Sequence, residues 1–284
     1  MRRIIGVHGV KNYKRGREPL AAVAQLTQEW GAALGPGVAD SFGADSFGAD
    51  SFGMAYYAHH LRPEIGQGVE DPYSMDIELQ DLLGRWALEL PLDLEPAQGG
   101  LTLPVRQAVE RMARYSGLQR AVIEPFVAAV LPEVRTYFRN RRARLAAREE
   151  LADAIDRSGA TIVLAHSLGS VVAYETLLAE PDLRLDLLVT MGSPLGLPGV
   201  VFERLEPAGA HPKPLPNVAR WVNVADLGDI VAVPRNLSSI FAGIHREETV
   251  TIGAVAFHEV KRYLRSTVVG EEVAAALAGR PSPR

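Results

Sequence analysis

The 284-residue chain contains no cysteine. That excludes a disulfide framework, a thiol nucleophile and any thiolate-ligated metal, although it identifies no compartment. The chain also lacks a run of about 20 consecutive apolar residues, the length a membrane-spanning helix needs. A large excess of charge of either sign is missing as well. Thirty Lys and Arg face 34 Asp and Glu, and the net charge of −4 gives no electrostatic footprint for a nucleic-acid partner. At the N-terminus, Arg2 and Arg3 run straight into an apolar strand pattern over 4–10, which leaves no room for the apolar core and cleavage site of a secretory signal. The expectation is a cytoplasmic protein without a transmembrane segment. With 47% hydrophobic residues the chain can build a sizeable core, and its length suits one α/β domain. Nothing in it specifies an oligomeric state.

Six short apolar runs read as strands, over 3–8, 55–60, 161–166, 185–191, 220–225 and 249–253. Most carry few charges, as expected of parallel strands buried on both faces, and most are separated by helical patterns. Alternation of this kind indicates an α/β sheet with right-handed crossovers. Between the first helix and the second strand, Ala-Asp-Ser-Phe-Gly occurs three times in tandem, at 39–43, 44–48 and 49–53. A five-residue period is too short for a solenoid unit. The repeats read as an expanded surface loop, in preference to an arm offering Phe42, Phe47 and Phe52 to a partner or lipid.

About a hundred residues separate the second and third strands, far more than a crossover needs. Helical patterns cover 74–90, 104–116, 119–131 and, as one or two helices, 132–157, with Gln98-Gly99-Gly100 as a break. The last of these suffices for the crossover, so 61–131 reads as a helical cap over the sheet. Its Leu79, Leu82, Leu83, Trp86 and Leu88 would suit an acyl chain, but packing on the domain beneath is the simpler role. Arg135, Arg139, Arg141, Arg142, Arg144 and Arg148 crowd the following stretch and read as a solvated helix face.

The chemistry concentrates at Thr161-Ile-Val-Leu-Ala-His-Ser-Leu-Gly-Ser170, followed by Val171-Val-Ala-Tyr-Glu175. A strand pattern ends, Ser167 stands in a turn between small residues, and an apolar helical pattern begins. This is the context of a nucleophile elbow, which lifts a serine hydroxyl above a sheet. Ala165 and Gly169 permit the close strand–helix approach, and the helix start places the Leu168 N–H where an oxyanion would form. The first strand, Ile4-Ile-Gly-Val-His-Gly-Val10, ends in His8-Gly9. The loop after such a strand donates a second oxyanion N–H, assigned here to Val10, with Gly9 allowing close backbone approach. His8 shapes the loop.

In this arrangement the acid and then the histidine follow the serine. His211 lies among prolines, and His245 precedes the last expected strand, at its wrong end. His258 follows that strand, where the functional groups of open α/β sheets collect. For the acid, Asp226 and Asp229 both follow the fifth strand. Asp229 is preferred because it opens Asp-Ile-Val-Ala-Val-Pro, whereas Asp226 is placed to cap the turn.

Together, His8-Gly9, Ala165-His-Ser167-Leu-Gly169, Gly192-Ser-Pro194, Asp229-Ile-Val and His258 resemble the α/β-hydrolase superfamily. Within it the chain is similar to the lipase and esterase branch, including lecithin-acyltransferase-like and GPI inositol-deacylase-like serine hydrolases. Ala165 stands where the motif usually has glycine. The resemblance spans 1–60 and about 140–270, and the cap lies outside it. It implies six parallel strands in the order 2-1-3-4-5-6. It also implies cleavage of an ester by a Ser167–His258–Asp229 triad through an acyl-enzyme, with no cofactor or metal. A thioesterase or acyltransferase/cyclase would use the same residues on a small-molecule or acyl-chain substrate. A catalytically idle hydrolase fold acting as a binding protein is the non-enzymatic alternative.

Overall fold

A computed structural model describes residues 4–13, 16–42, 51–62, 71–92, 103–207, 212–253 and 258–279. Six strands form one sheet: β1 (Ile4–Val7), β2 (Phe52–Ala55), β3 (Ile162–His166), β4 (Leu187–Met191), β5 (Trp221–Asp226) and β6 (Ile244–Val250). Every neighbouring pair is parallel, and the order is β2-β1-β3-β4-β5-β6, as expected. The helices are α1 (Pro19–Phe42), α2 (Ile77–Leu88), α3 (Val105–Ser116), α4 (Arg120–Arg139), α5 (Arg141–Ser158), α6 (Leu168–Ala179), α7 (Val260–Leu264) and α8 (Thr267–Leu277). Among the described residues no helix is long and apolar enough to cross a membrane.

The unbroken apolar strands follow from burial on both sheet faces. Ile4, Ile162, Leu164, Leu187, Val189, Val222 and Val224 point into one cluster, which Trp30 and Leu34 of α1, Tyr263 of α7 and Val269 and Val273 of α8 complete. Their neighbours Ile5, Val7, Val163, Ala165, Leu188 and Trp221 point into the opposite cluster, shared with α2 to α6. The period of two along each strand thus sorts side chains between two helical layers.

Several expected boundaries are wrong for identifiable reasons. The second strand was expected over 55–60 but lies at Phe52–Ala55, in register with Ile4–Val7. The aromatic segment after it has β propensity, yet Tyr57 turns to bond the loop after β1 and Ala58–His60 forms a 3-10 turn. The pentapeptide repeats are not wholly a surface loop. α1 runs into the first copy through Phe42, while Phe52 of the third copy is buried against Trp30, ring centroids 6.4 Å apart. Phe47 and the rest of 43–50 lie outside the described residues. The last strand was expected over 249–253 but begins at Ile244, because an edge strand tolerates a charged run. Its Arg246 bonds Glu248 and Glu272.

The break expected after Leu131 does not occur. α4 continues through Pro132 with Leu131, Pro132, Glu133 and Val134 all buried, so packing overrides the lost helical hydrogen bond. The chain breaks instead at Asn140, whose side chain accepts from Ala143 N–H to cap α5. The end expected for the cap at Leu131 therefore falls inside a helix. The expected break at 98–100 lies outside the described residues. Leu79, Leu82, Leu83 and Trp86 are buried in the main cluster and Leu88 is exposed.

The arginine-rich stretch is not simply a solvated face. Arg135 pairs with Asp76, Arg139 with Glu78 and Arg148 with Glu206. Arg144 is buried and chelates the fully buried Glu175, with an Nε–Oε2 distance of 2.9 Å. Tyr137 Oη donates to the same carboxylate at 2.7 Å and Glu206 N–H at 3.0 Å, so this one site joins α4, α5 and α6. Removing one partner of such a pair leaves an uncompensated buried charge. Arg144→Ala should lower the unfolding free energy by about 3–5 kcal/mol, read from urea denaturation. A loss below about 1 kcal/mol, the range of a surface pair, would contradict this account.

Candidate active site

β3 delivers Ser167 directly into α6. The serine has φ 54° and ψ −130°, a region that costs a residue with a side chain on the order of 1–3 kcal/mol. Its N–H donates to Met191 O of β4 at 3.0 Å, and its carbonyl accepts from Ser170 N–H at 2.9 Å. The turn is this sharp because α6 starts almost on top of β1. A Cβ on Gly169 would lie 2.4 Å from Val7 O and 2.6 Å from His8 O, so only glycine fits. Ala165 is fully buried in β3 on the face that meets α2 to α6, where a small side chain is accommodated. Leu168 opens α6, so its N–H has no intrahelical acceptor.

The loop after β1 passes directly over the serine. A Cβ on Gly9 would lie 2.5 Å from Ser167 Cβ and 3.1 Å from its Oγ. His8 shapes this loop, as expected. Its Nδ1 donates to Gly9 O at 2.7 Å, its Nε2 accepts Tyr57 N–H at 3.2 Å, and its own carbonyl accepts from Tyr57 Oη at 2.6 Å. Burial lowers its pKa to about 4, so the ring is neutral and committed to structure. Farther along, the Asn12 amide donates to both Gly9 O and Val10 O at 3.0 Å. Lys11 takes φ 66°, and its N–H donates to Glu133 Oε1 of α4 at 3.0 Å.

Of the two candidate acids, the geometry selects Asp229 as the partner of His258. Asp229 is fully buried, and its Oδ2 lies 2.7 Å from His258 Nδ1. A carboxylate can only accept, so Nδ1 donates, which in the neutral ring makes Nε2 the acceptor. Oδ2 also accepts from Tyr263 Oη at 2.7 Å, and Oδ1 accepts Val231 N–H at 2.8 Å. Asp226 instead accepts Gly228 N–H at 2.9 Å and Ile252 N–H at 2.8 Å, which is the turn-capping role open to it. Space for the Asp229–His258 pair comes from Gly192 at the end of β4. With φ 54°, its missing Cβ would fall 2.9 Å from Asp229 Oδ2 and 3.1 Å from His258 Nδ1.

Ser167 and His258 line one cleft of about 340 Å³, with Val10, Trp30, Phe126 and Val260 as apolar walls. Phe126 meets the His258 ring edge-on at 5.7 Å. Lys11 and Glu259 contribute one charge of each sign. Leu79, Leu82, Leu83 and Trp86 do not line this cleft; the Trp86 indole N–H donates to Ile230 O at 2.6 Å and so braces the Asp229 loop. A larger cavity of about 450 Å³, between Tyr115, Arg235 and Glu247, holds none of the three candidate catalytic side chains. His245 sits at the start of β6, where its Nδ1 accepts Trp221 N–H, and His211 lies outside the described residues.

Three contributors were not anticipated. Tyr263 of α7 bridges the two aspartates, donating to Asp229 and accepting Asp226 N–H at 2.9 Å. Burial and the Asp229 charge hold its hydroxyl well above the usual tyrosine range, so it stays a neutral donor. His166 lies beside His258 with ring centroids 4.5 Å apart; burial, and then His258, push it well below the usual histidine value. The third is Glu133, whose carboxylate anchors the loop over the serine. Nothing local marks these residues, since each acts through a partner distant in sequence. Comparison with family models, with curated proteins and with solved structures returns no match for this chain.

Glu133 also makes a prediction. Burial raises its carboxyl from an ordinary 4.5 to about 7, against the Lys11 N–H and charge. A carboxyl raised in the folded state takes up a proton on folding, so its contribution is greatest below its unfolded pKa and declines as pH rises towards 7. Glu133→Gln removes that decline. Relative to wild type, the variant should gain about 2–3 kcal/mol of unfolding free energy between pH 5 and pH 8, measured by urea denaturation. A mutant-minus-wild-type difference that does not change with pH would refute it.

Proposed function

We propose that this chain is a serine hydrolase of the α/β-hydrolase superfamily that cleaves a carboxylic ester through Ser167, His258 and Asp229. The observation that carries the reading is a serine held at φ 54° in the same cleft as a histidine whose Nδ1 is bonded to a buried carboxylate. Ser167 Oγ attacks the substrate carbonyl while His258 Nε2 takes its proton. Asp229 keeps the imidazole in the required tautomer and stabilises the imidazolium. The N–H groups of Val10 and Leu168 receive the tetrahedral oxyanion. His258 then protonates the departing oxygen or sulfur, and water repeats the sequence on the acyl-enzyme. In this reading α2, α3 and α4 serve as the cap, supported by Phe126 against His258 and Trp86 against Ile230 O.

The apolar walls and modest volume of the cleft favour a short or medium acyl group on a small substrate. Thioester cleavage and transfer to an acceptor other than water share the first half of the reaction. A panel of p-nitrophenyl esters and acyl thioesters, with and without alcohol or amine acceptors, separates these outcomes.

Ser167→Ala should reduce turnover by several orders of magnitude, on the ~10⁶ scale of triad knockouts. Asp229→Asn should reduce it by about 10⁴, because the amide stabilises the wrong imidazole tautomer. Full activity in Ser167→Ala would sink the proposal. An inert wild type on every substrate would favour an idle hydrolase fold with a binding role.

A further inference from the structure

A second cluster of chemically capable side chains lies outside the cleft, where β2 leads into the 3-10 turn Ala58–His60. His59 and His60 are consecutive on that turn, and Glu150 reaches them from α5. His60 Nε2 is 3.2 Å from Glu150 Oε1, and His59 Nε2 is 3.7 Å from the same oxygen. One donor atom from each residue lies within 4.8 Å of the other two. All three side chains are half-buried.

We propose that His59, His60 and Glu150 bind a divalent transition-metal ion of the zinc type. A tetrahedral ion with bonds of about 2.0–2.2 Å places its donors roughly 3.3 Å apart. The two nitrogen–oxygen distances already approach that spacing, and the two imidazole donors, which lie within 4.8 Å, must close by up to about 1.5 Å. Two imidazoles and one carboxylate suit zinc, cobalt or nickel, whereas magnesium and calcium prefer all-oxygen shells. Three protein ligands leave a fourth position for water. The interaction a metal would replace is the hydrogen bond between His60 Nε2 and Glu150 Oε1 at 3.2 Å. Glu150 pairs with no lysine or arginine among the described residues, and His59 Nδ1 has no hydrogen-bond partner there.

Among the described residues near the site, the Arg62 charge opposes a cation. The site is connected to the cleft through Tyr56 and Tyr57. Tyr56 stacks on His59 with centroids 5.5 Å apart and donates to Asn12 O at 3.3 Å, while Tyr57 donates to His8 O. An ion there would clasp the turn to α5 and brace the loop that covers Ser167.

The test is a titration of the untagged, chelator-stripped chain with zinc chloride by calorimetry at pH 7.5, followed by magnesium chloride. One equivalent of zinc should bind in the micromolar range or tighter, and magnesium should not. Glu150→Gln and His60→Ala should each weaken zinc binding tenfold or more, with circular dichroism showing both folded. His258→Ala should bind zinc as wild type does, which separates this site from the cleft. Absence of saturable zinc binding would overturn the proposal. So would binding unchanged in both ligand variants, or binding lost in His258→Ala.

Discussion

The architecture of the cleft depends on a steric constraint, the close approach of three chain segments at the carboxyl ends of β1, β3 and β4. Gly169 seats the first turn of α6 against the carbonyls of Val7 and His8, and Gly9 brings the loop after β1 onto Ser167. Gly192 leaves room for the Asp229–His258 pair. Ser167 cannot relax from φ 54° without disturbing that packing, because its N–H is tied to Met191 O and α6 begins at the next residue. The strain is thus supported by the sheet and helices around it.

The polar groups around this point act largely as a scaffold for one another. Tyr263 ties Asp229 to the backbone of Asp226, and Asp226 in turn holds Gly228 and Ile252. On the other side, Glu133, Asn12 and His8 fix consecutive peptides of the loop over the serine. Buried polar networks rigidify when their members are satisfied, and rigid placement is what positioning chemistry demands. The helices inserted between β2 and β3 take part directly. α4 contributes both Glu133 and Phe126, and α2 contributes Trp86.

Features encoded within a few consecutive residues were legible in the sequence. The strand–Ser167–helix unit was legible because apolar periodicity switches there between small residues. The sheet order followed from the resemblance carried by those motifs, and the preference for Asp229 over Asp226 as the partner of His258 agrees with the observed pairing. Features set by distant partners were not legible. β6 looks too charged for a strand until Arg246 meets Glu272 of α8. The Tyr56–His60 segment reads as β until Tyr57 engages His8, and Arg144 reads as solvated until Glu175 of α6 is placed beside it. Pro132 reads locally as a helix end, but tertiary packing carries α4 through it.

The central claim is that Ser167 is an activated nucleophile. Its most direct test is labelling of the folded wild-type chain at neutral pH with diisopropyl fluorophosphate, a probe small enough for the cleft, followed by mass-spectrometric mapping. The account predicts a single adduct on Ser167 that is lost in His258→Ala. A folded chain that acquires no adduct at Ser167, or one whose labelling is undiminished in His258→Ala, would contradict it.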